Sequence, residues 1–137
     1  MPTEALIESI KKHEGFRAQS YKDTVGVLTI GYGTNLQRLE VDEQLATFLL
    51  KREVLHIEKF FNGHFPYLSI ESQTRRDVIL EMAYNLGIEG VLKFKKMWSA
   101  MYSHNWTRAG AEMLDSKWAT QVGKRATTLA TRMIRGA

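Results

Sequence analysis

The sequence predicts an α+β fold, a mostly helical body carrying a small β-rich insertion near the N-terminus. Two observations carry that prediction. Apolar residues recur at helical spacing along most of the 137 residues. One stretch, Tyr21 to Gly33, breaks the pattern with valine, threonine, isoleucine and tyrosine punctuated by glycine. A chain of this length buries roughly two-thirds of the surface its unfolded form exposes, so it supports a core unaided.

Thr3 is placed to cap a first helix. Leu6, Ile7, Ile10 and Glu14 share one face of it, and Gly15 stops it. A small antiparallel hairpin or sheet follows, turning near Val25-Gly26. A long helix is expected from about Asp42 to Asn62, with Leu45, Phe48, Leu49 and Leu55 on one side and Asn62-Gly63 and Pro66 at its end. The next is expected from about Glu71 to Leu86, burying Val78, Ile79, Met82, Ala83 and Leu86 and ending at Gly87. Phe94, Met97, Trp98, Met101 and Tyr102 mark another. Thr107 caps a short one through Leu114. Ala126, Leu129, Ala130 and Met133 mark the last. No linker, repeat or low-complexity tract divides the chain, so a single domain is expected over residues 1–137. Its small lobe spans about 16–40. Its helical lobe spans about 41–137 and includes the first helix.

The composition is that of a globular protein, 44% hydrophobic and 25% charged, with no cysteine for disulfides or a cysteine-based zinc site. The net charge of +4 favours encounter with polyanions without choosing among nucleic acid, anionic lipid and an acidic cell wall. The first residues carry two acids and no continuous apolar run, and no apolar stretch is long enough to span a membrane. The expected location is therefore the cytoplasm until something releases the protein.

Glu14 falls on the apolar face of the first helix and at its C-terminal end. Burial and the helix dipole both oppose its ionised form, as a general acid requires. Alone, a glutamate at a helix end is most often a solvated surface residue. Asp23 stands at the entrance to the turn, where aspartate is common for local hydrogen bonding and where a carboxylate stays ionised. One carboxyl held neutral and one left charged is the pairing that glycoside hydrolysis uses. Alternation puts Val27, Thr29, Gly31 and Gly33 on one strand face. Two glycines there fit either a ligand approaching the backbone beside Thr29 or a bend at a sheet edge.

The run Glu14-Gly15-Phe16-Arg17, Tyr21-Lys22-Asp23, Gly26 and Thr29-Ile30-Gly31-Tyr32-Gly33 resembles the signature of the phage-type lysozymes, glycoside hydrolase family 24. The resemblance implies a lysozyme-like catalytic domain and a catalytic set of Glu14, Asp23 and Thr29. In the family the glutamate protonates the glycosidic oxygen, while the aspartate and threonine position or activate a water on the opposite side of the sugar. Arg75-Arg76, Met82 and Tyr84-Asn85-Leu86-Gly87 fit the family's central helix. Gly90, Phe94, Trp106 and Ser116-Lys117-Trp118 keep register, and Arg125 aligns with an arginine that pairs with the catalytic glutamate. Gly31, Gly33, Tyr84 and Asn85 are the implied substrate contacts. Thr34 stands where the family usually has histidine. The stretch from Gly33 to the long helix is shorter than in the T-even members, which implies fewer sugar subsites.

Other signals are discounted. Gly31-Tyr32-Gly33 lacks the third glycine of a dinucleotide fingerprint, and the four histidines lack ligand spacing, so no metal and no cofactor is expected. Lys124, Arg125, Arg132 and Arg135 on the last helix read as the solvated face of a packed helix, with membrane contact the minor alternative. The tryptophans read as core. The expected function is an endolysin: hydrolysis of the β-1,4 bond between N-acetylmuramic acid and N-acetylglucosamine in peptidoglycan. The expected protein is a monomer with no nucleic-acid partner. The resemblance further implies a holin-like partner for release. The alternatives are a non-catalytic wall-binding module, a lytic component of a phage tail or toxin, and a cationic membrane disruptor.

Overall fold

A computed structural model describes residues 1–70 and 72–137. Its α+β character is as the pattern predicts: eight α-helices and one three-stranded antiparallel sheet among the described residues. The chain divides into two compact units, Met1–Ala46 and Thr47–Ala137.

The first unit opens with α1 (Glu4–Glu14). The Thr3 hydroxyl accepts the Leu6 N–H at 3.2 Å, satisfying one of the donors a helix start leaves over. Gly15, at φ 72°, ends the helix and returns its N–H to the Lys11 carbonyl. Strands β1 (Arg17–Lys22), β2 (Leu28–Gly31) and β3 (Thr34–Asn35) form the sheet in that order. Tyr21 pairs with Thr29, and Thr29 with Asn35, while the β1 register shifts between Arg17 and Tyr21. The first turn closes where expected. The Asp23 N–H reaches the Val27 carbonyl at 2.9 Å, and Gly26 supplies the positive φ of 83°.

Two expectations for this unit need correction. Alternation carries β2 through Gly33, but the strand ends at Gly31 and Tyr32-Gly33 turn the chain into β3. Gly31 and Gly33 have φ of 68° and 82°, outside the range of an extended strand. The first helix also buries none of its side chains: Leu6, Ile7, Ile10 and Glu14 are all exposed. Thr29 is the one buried residue of the unit.

Helix α2 (Glu43–His64) begins under an aspartate cap, with the Asp42 carboxylate accepting the Leu45 N–H at 2.8 Å. It runs past the predicted stop at Asn62-Gly63 to His64, and Pro66 opens a short 3-10 turn, Pro66–Ile70. Its buried side chains are Ile57 and Phe61, whereas Leu45, Phe48, Leu49 and Leu55 are exposed.

Helix α3 (Gln73–Leu86) starts at a Ser72 cap. The start expected at Glu71 lies outside the described residues. Its stripe of Val78, Ile79, Met82 and Ala83 is buried, and Gly87 ends it. Then come α4 (Ile88–Leu92), α5 (Lys95–Tyr102), α6 (Trp106–Leu114), α7 (Lys117–Val122) and α8 (Lys124–Arg135). Asn105, not Thr107, caps α6, accepting the Arg108 N–H at 3.2 Å.

The core lies in this second unit. It centres on Ile79, Met82, Val91, Met97, Met101, Met113, Leu129 and Met133, all at most 1% exposed. Trp118 is buried at its edge, and Trp98 and Trp106 pack against it. Arg75 of α3 ties three helices together. Its guanidinium donates to the Met133 and Ile134 carbonyls at 2.8 and 3.0 Å, and lies 3.9 Å from the centroid of the Trp106 ring. Gly136 leaves room for it, since a Cβ there would fall 2.6 Å from Arg75 Cζ. Gly110 does the same where α6 meets α8. Among the described residues no helix is long and apolar enough to cross a membrane.

Candidate active site

The three residues that the motif singles out for chemistry all fall in the first unit. Glu14 is the last residue of α1, and Gly15 turns the chain away beneath it. Its carboxyl reaches the turn between β2 and β3. A Cβ built on Gly33 would lie 2.6 Å from Glu14 Oε2 and 2.9 Å from Cδ. The space that any other residue's side chain would fill is therefore taken by the carboxyl. Gly31 differs: a Cβ there would meet nothing within 4 Å. One of the two glycines seats a protein group, and the other stands beside open space.

Asp23 is held by its own turn. One oxygen, Oδ1, accepts the backbone N–H of Val25 at 2.9 Å and that of Val27 at 2.8 Å. The second oxygen makes no hydrogen bond among the described residues, so it is oriented but available. Aspartate is favoured at such turns because its side chain reaches the amides two and four residues on. Thr29, at 5% exposure, points its hydroxyl at the Val27 carbonyl, 3.0 Å away. With its hydrogen spent there, Oγ1 keeps lone pairs that can accept from another donor.

The remaining candidates lie in the second unit. Tyr84 is 47% exposed on α3 and lines an open groove of about 380 Å³. Leu50, Val54 and Leu80 give that groove an apolar wall, and Glu81 and Arg125 give it a polar one. Arg125 donates from Nε to Glu81 Oε2 at 3.0 Å, and Arg132 stands 4.0 Å from the other oxygen. Sequence reasoning missed Glu81. The available signal was its place three residues before Tyr84, on the same helix face. Asn85 is exposed, and its side-chain oxygen accepts the Trp118 indole N–H at 2.8 Å, which fixes how the amide is presented. Among the described residues no three of histidine, aspartate and glutamate gather as a metal-ion ligand set.

The first unit thus holds an oriented carboxylate, a second carboxyl set against a backbone turn, and a hydroxyl with acceptor capacity. These can donate a proton, accept a proton and hold a water.

Comparison with known proteins points the same way. A profile of the phage lysozyme family matches residues 11–135. Two proteins of Dictyostelium discoideum, probable T4-type lysozymes 2 and 1, are 27% and 26% identical to the chain. Each match covers 88% of this chain and 88% of theirs. The pre-baseplate central spike protein Gp5 of Enterobacteria phage T4 is 24% identical over 98% of this chain, which spans 28% of that protein's length. With the family profile covering nearly all of its residues, this chain belongs to the phage lysozyme family.

Proposed function

We propose that the chain is an endolysin that hydrolyses the β-1,4 bond between N-acetylmuramic acid and N-acetylglucosamine in peptidoglycan, its residues 1–137 acting as one catalytic domain. The observation that carries the reading is the Glu14 carboxyl seated on Gly33, in the same small unit as the clamped Asp23 and the buried Thr29. Glu14 gives its proton to the bridging oxygen as the bond from that oxygen to C1 breaks. A water on the other face of the sugar attacks C1. The unengaged oxygen of Asp23 takes the water's proton, and Thr29 Oγ1 accepts a hydrogen bond from the same water. Exchange with solvent then restores both carboxyls. A single displacement through water inverts the anomeric centre, for which the two carboxyl groups stand roughly 6.5–9.5 Å apart.

The open backbone at Gly31 supports its role in admitting the sugar. Substrate contacts at Gly33, Tyr84 and Asn85 rest on the family resemblance; Arg125, which the resemblance pairs with the acid, is instead paired with Glu81. The protein acts as a monomer without a cofactor and waits in the host cytoplasm until a holin-like partner opens the inner membrane.

The test is Glu14→Gln assayed on purified peptidoglycan. The variant keeps the wild-type circular dichroism and melting temperature and releases no reducing ends. Wild-type rates from it would overturn the assignment. A wild-type protein that binds the wall but cuts nothing would be a wall-binding module instead. Mass spectrometry of the products separates a hydrolysed reducing end from an anhydro sugar.

The spike-protein match favours one further reading, in which the same chemistry is delivered by a phage tail. Detection of the protein in purified virions would select it over release from the cytoplasm.

A further inference from the structure

Tyr32 stands between two glycines whose φ angles, 68° at Gly31 and 82° at Gly33, lie in the left-handed region. Glycine adopts these angles without steric cost, so the turn's own backbone does little to hold it in one place. Yet Gly33 is where the Glu14 carboxyl sits. The position of that carboxyl depends on whatever holds the turn.

Two side chains grip the Tyr32 ring. The Phe16 ring lies 5.5 Å away, centroid to centroid, tilted by 51°, within the range of a favourable aromatic pair. The Lys11 ammonium lies 5.4 Å from the centroid, within reach of the ring's negative face. Lys11 precedes Glu14 by one helical turn, and Phe16 follows it by two residues. The ring is therefore held from both sides of the residue whose carboxyl rests on the next position of the turn.

We propose that Tyr32 is a positioning residue for Glu14: its ring, clasped by Lys11 and Phe16, locks the β2–β3 turn to the end of α1 and so fixes where the carboxyl lies. This inference deepens the reading of Glu14 as the acid and rests on it. Both contacts are to the ring, so the hydroxyl is dispensable. Tyr32 and Phe16 are 41% and 64% exposed, so removing the ring leaves the fold intact.

The experiment compares Tyr32→Ala with Tyr32→Phe in the full chain. In wild type and Tyr32→Phe, the nuclear Overhauser contact between the Glu14 side chain and Gly33 Hα is present. In Tyr32→Ala it is lost. On purified peptidoglycan, Tyr32→Ala lowers kcat on the order of tenfold or more with KM nearly unchanged, and Tyr32→Phe restores it. Survival of the contact in Tyr32→Ala overturns the proposal, as does loss of the contact with no change in kcat. A raised KM at unchanged kcat also overturns it, because the ring would then be stacking on sugar. The acid assignment fails separately: if Glu14→Gln stays active, the Overhauser contact still decides whether Tyr32 places the side chain.

Discussion

Asp23 and Thr29 share one partner: Val27 gives its N–H to Asp23 Oδ1 at 2.8 Å and receives the Thr29 hydroxyl at its carbonyl at 3.0 Å. The two groups assigned to the water are thus fixed to opposite ends of a single residue, and their spacing follows from backbone geometry. Asp23→Asn keeps an oxygen that accepts both amides but cannot take a proton. It is expected to fold normally and to lose roughly 10²–10⁴-fold in kcat. Thr29→Val removes the hydroxyl and is expected to lower kcat, while Thr29→Ser retains most of it. Reducing-end release at saturating substrate measures both, and a fully active Asp23→Asn would rule out the base assignment.

At Gly33 even a methyl group is too much. Gly33→Ala would put a carbon 2.6 Å from the Glu14 carboxyl, on a backbone at φ 82° that disfavours any side chain. The carboxyl is the movable part, so it gives way. Displacement of a reacting group by about 1 Å costs on the order of 10²-fold in rate. The expected variant melts slightly lower, by roughly 1–2 kcal/mol of stability, and turns over far more slowly. An unaltered kcat would show that the carboxyl does not work from this position.

Arg75 closes the end of α8 from another helix. Arg75→Lys keeps the charge but loses the fork that reaches two carbonyls and the plane that lies on Trp106. The expected cost is roughly 1–3 kcal/mol in urea unfolding. Arg75→Lys matching wild type would mean that water serves those carbonyls equally well.

Gly110→Ala sets two effects against each other. Alanine in a helix interior gains about 1 kcal/mol over glycine. Here its Cβ would lie 2.6 Å from Ile134 Cγ1 and 3.2 Å from the Ala130 carbonyl oxygen. Overpacking of this kind costs roughly 1–3 kcal/mol, and a backbone oxygen cannot swing aside. The clash wins, and denaturant unfolding is expected to show a net loss. A stabilised variant would mean that α6 and α8 separate easily at this crossing.

Three helix ends and the α8 stripe were written most plainly in the sequence. Thr3, Gly15, Gly87 and the α8 stripe each act through local geometry, which a linear pattern contains. The stripe of α2 was not legible. Periodicity marks Leu45, Phe48, Leu49 and Leu55 as one side, but burial follows what covers a helix, and the buried residues are Ile57 and Phe61. Helices α4 and α7, with 5 and 6 residues, are too short to show a period. Asn105 and Thr107 are both competent caps, and the preceding chain decides between them. In the candidate site, spacing marked Glu14, Asp23 and Thr29, but not what holds them. The contact of Glu14 with Gly33 and the clasp of Lys11 and Phe16 on Tyr32 join residues 16 to 21 positions apart, and no local rule pairs them.

Five of the six methionines, Met82, Met97, Met101, Met113 and Met133, are sealed in the helical core at 1% exposure or less. Thioethers make an adaptable filling while they stay dry. Peroxide attacks them only when the chain opens, and the sulfoxide it leaves is polar and cannot return to an apolar interior. Oxidative inactivation of this protein should therefore count its openings: its rate should rise with denaturant and temperature as unfolding does, and each damaged molecule should be lost to refolding.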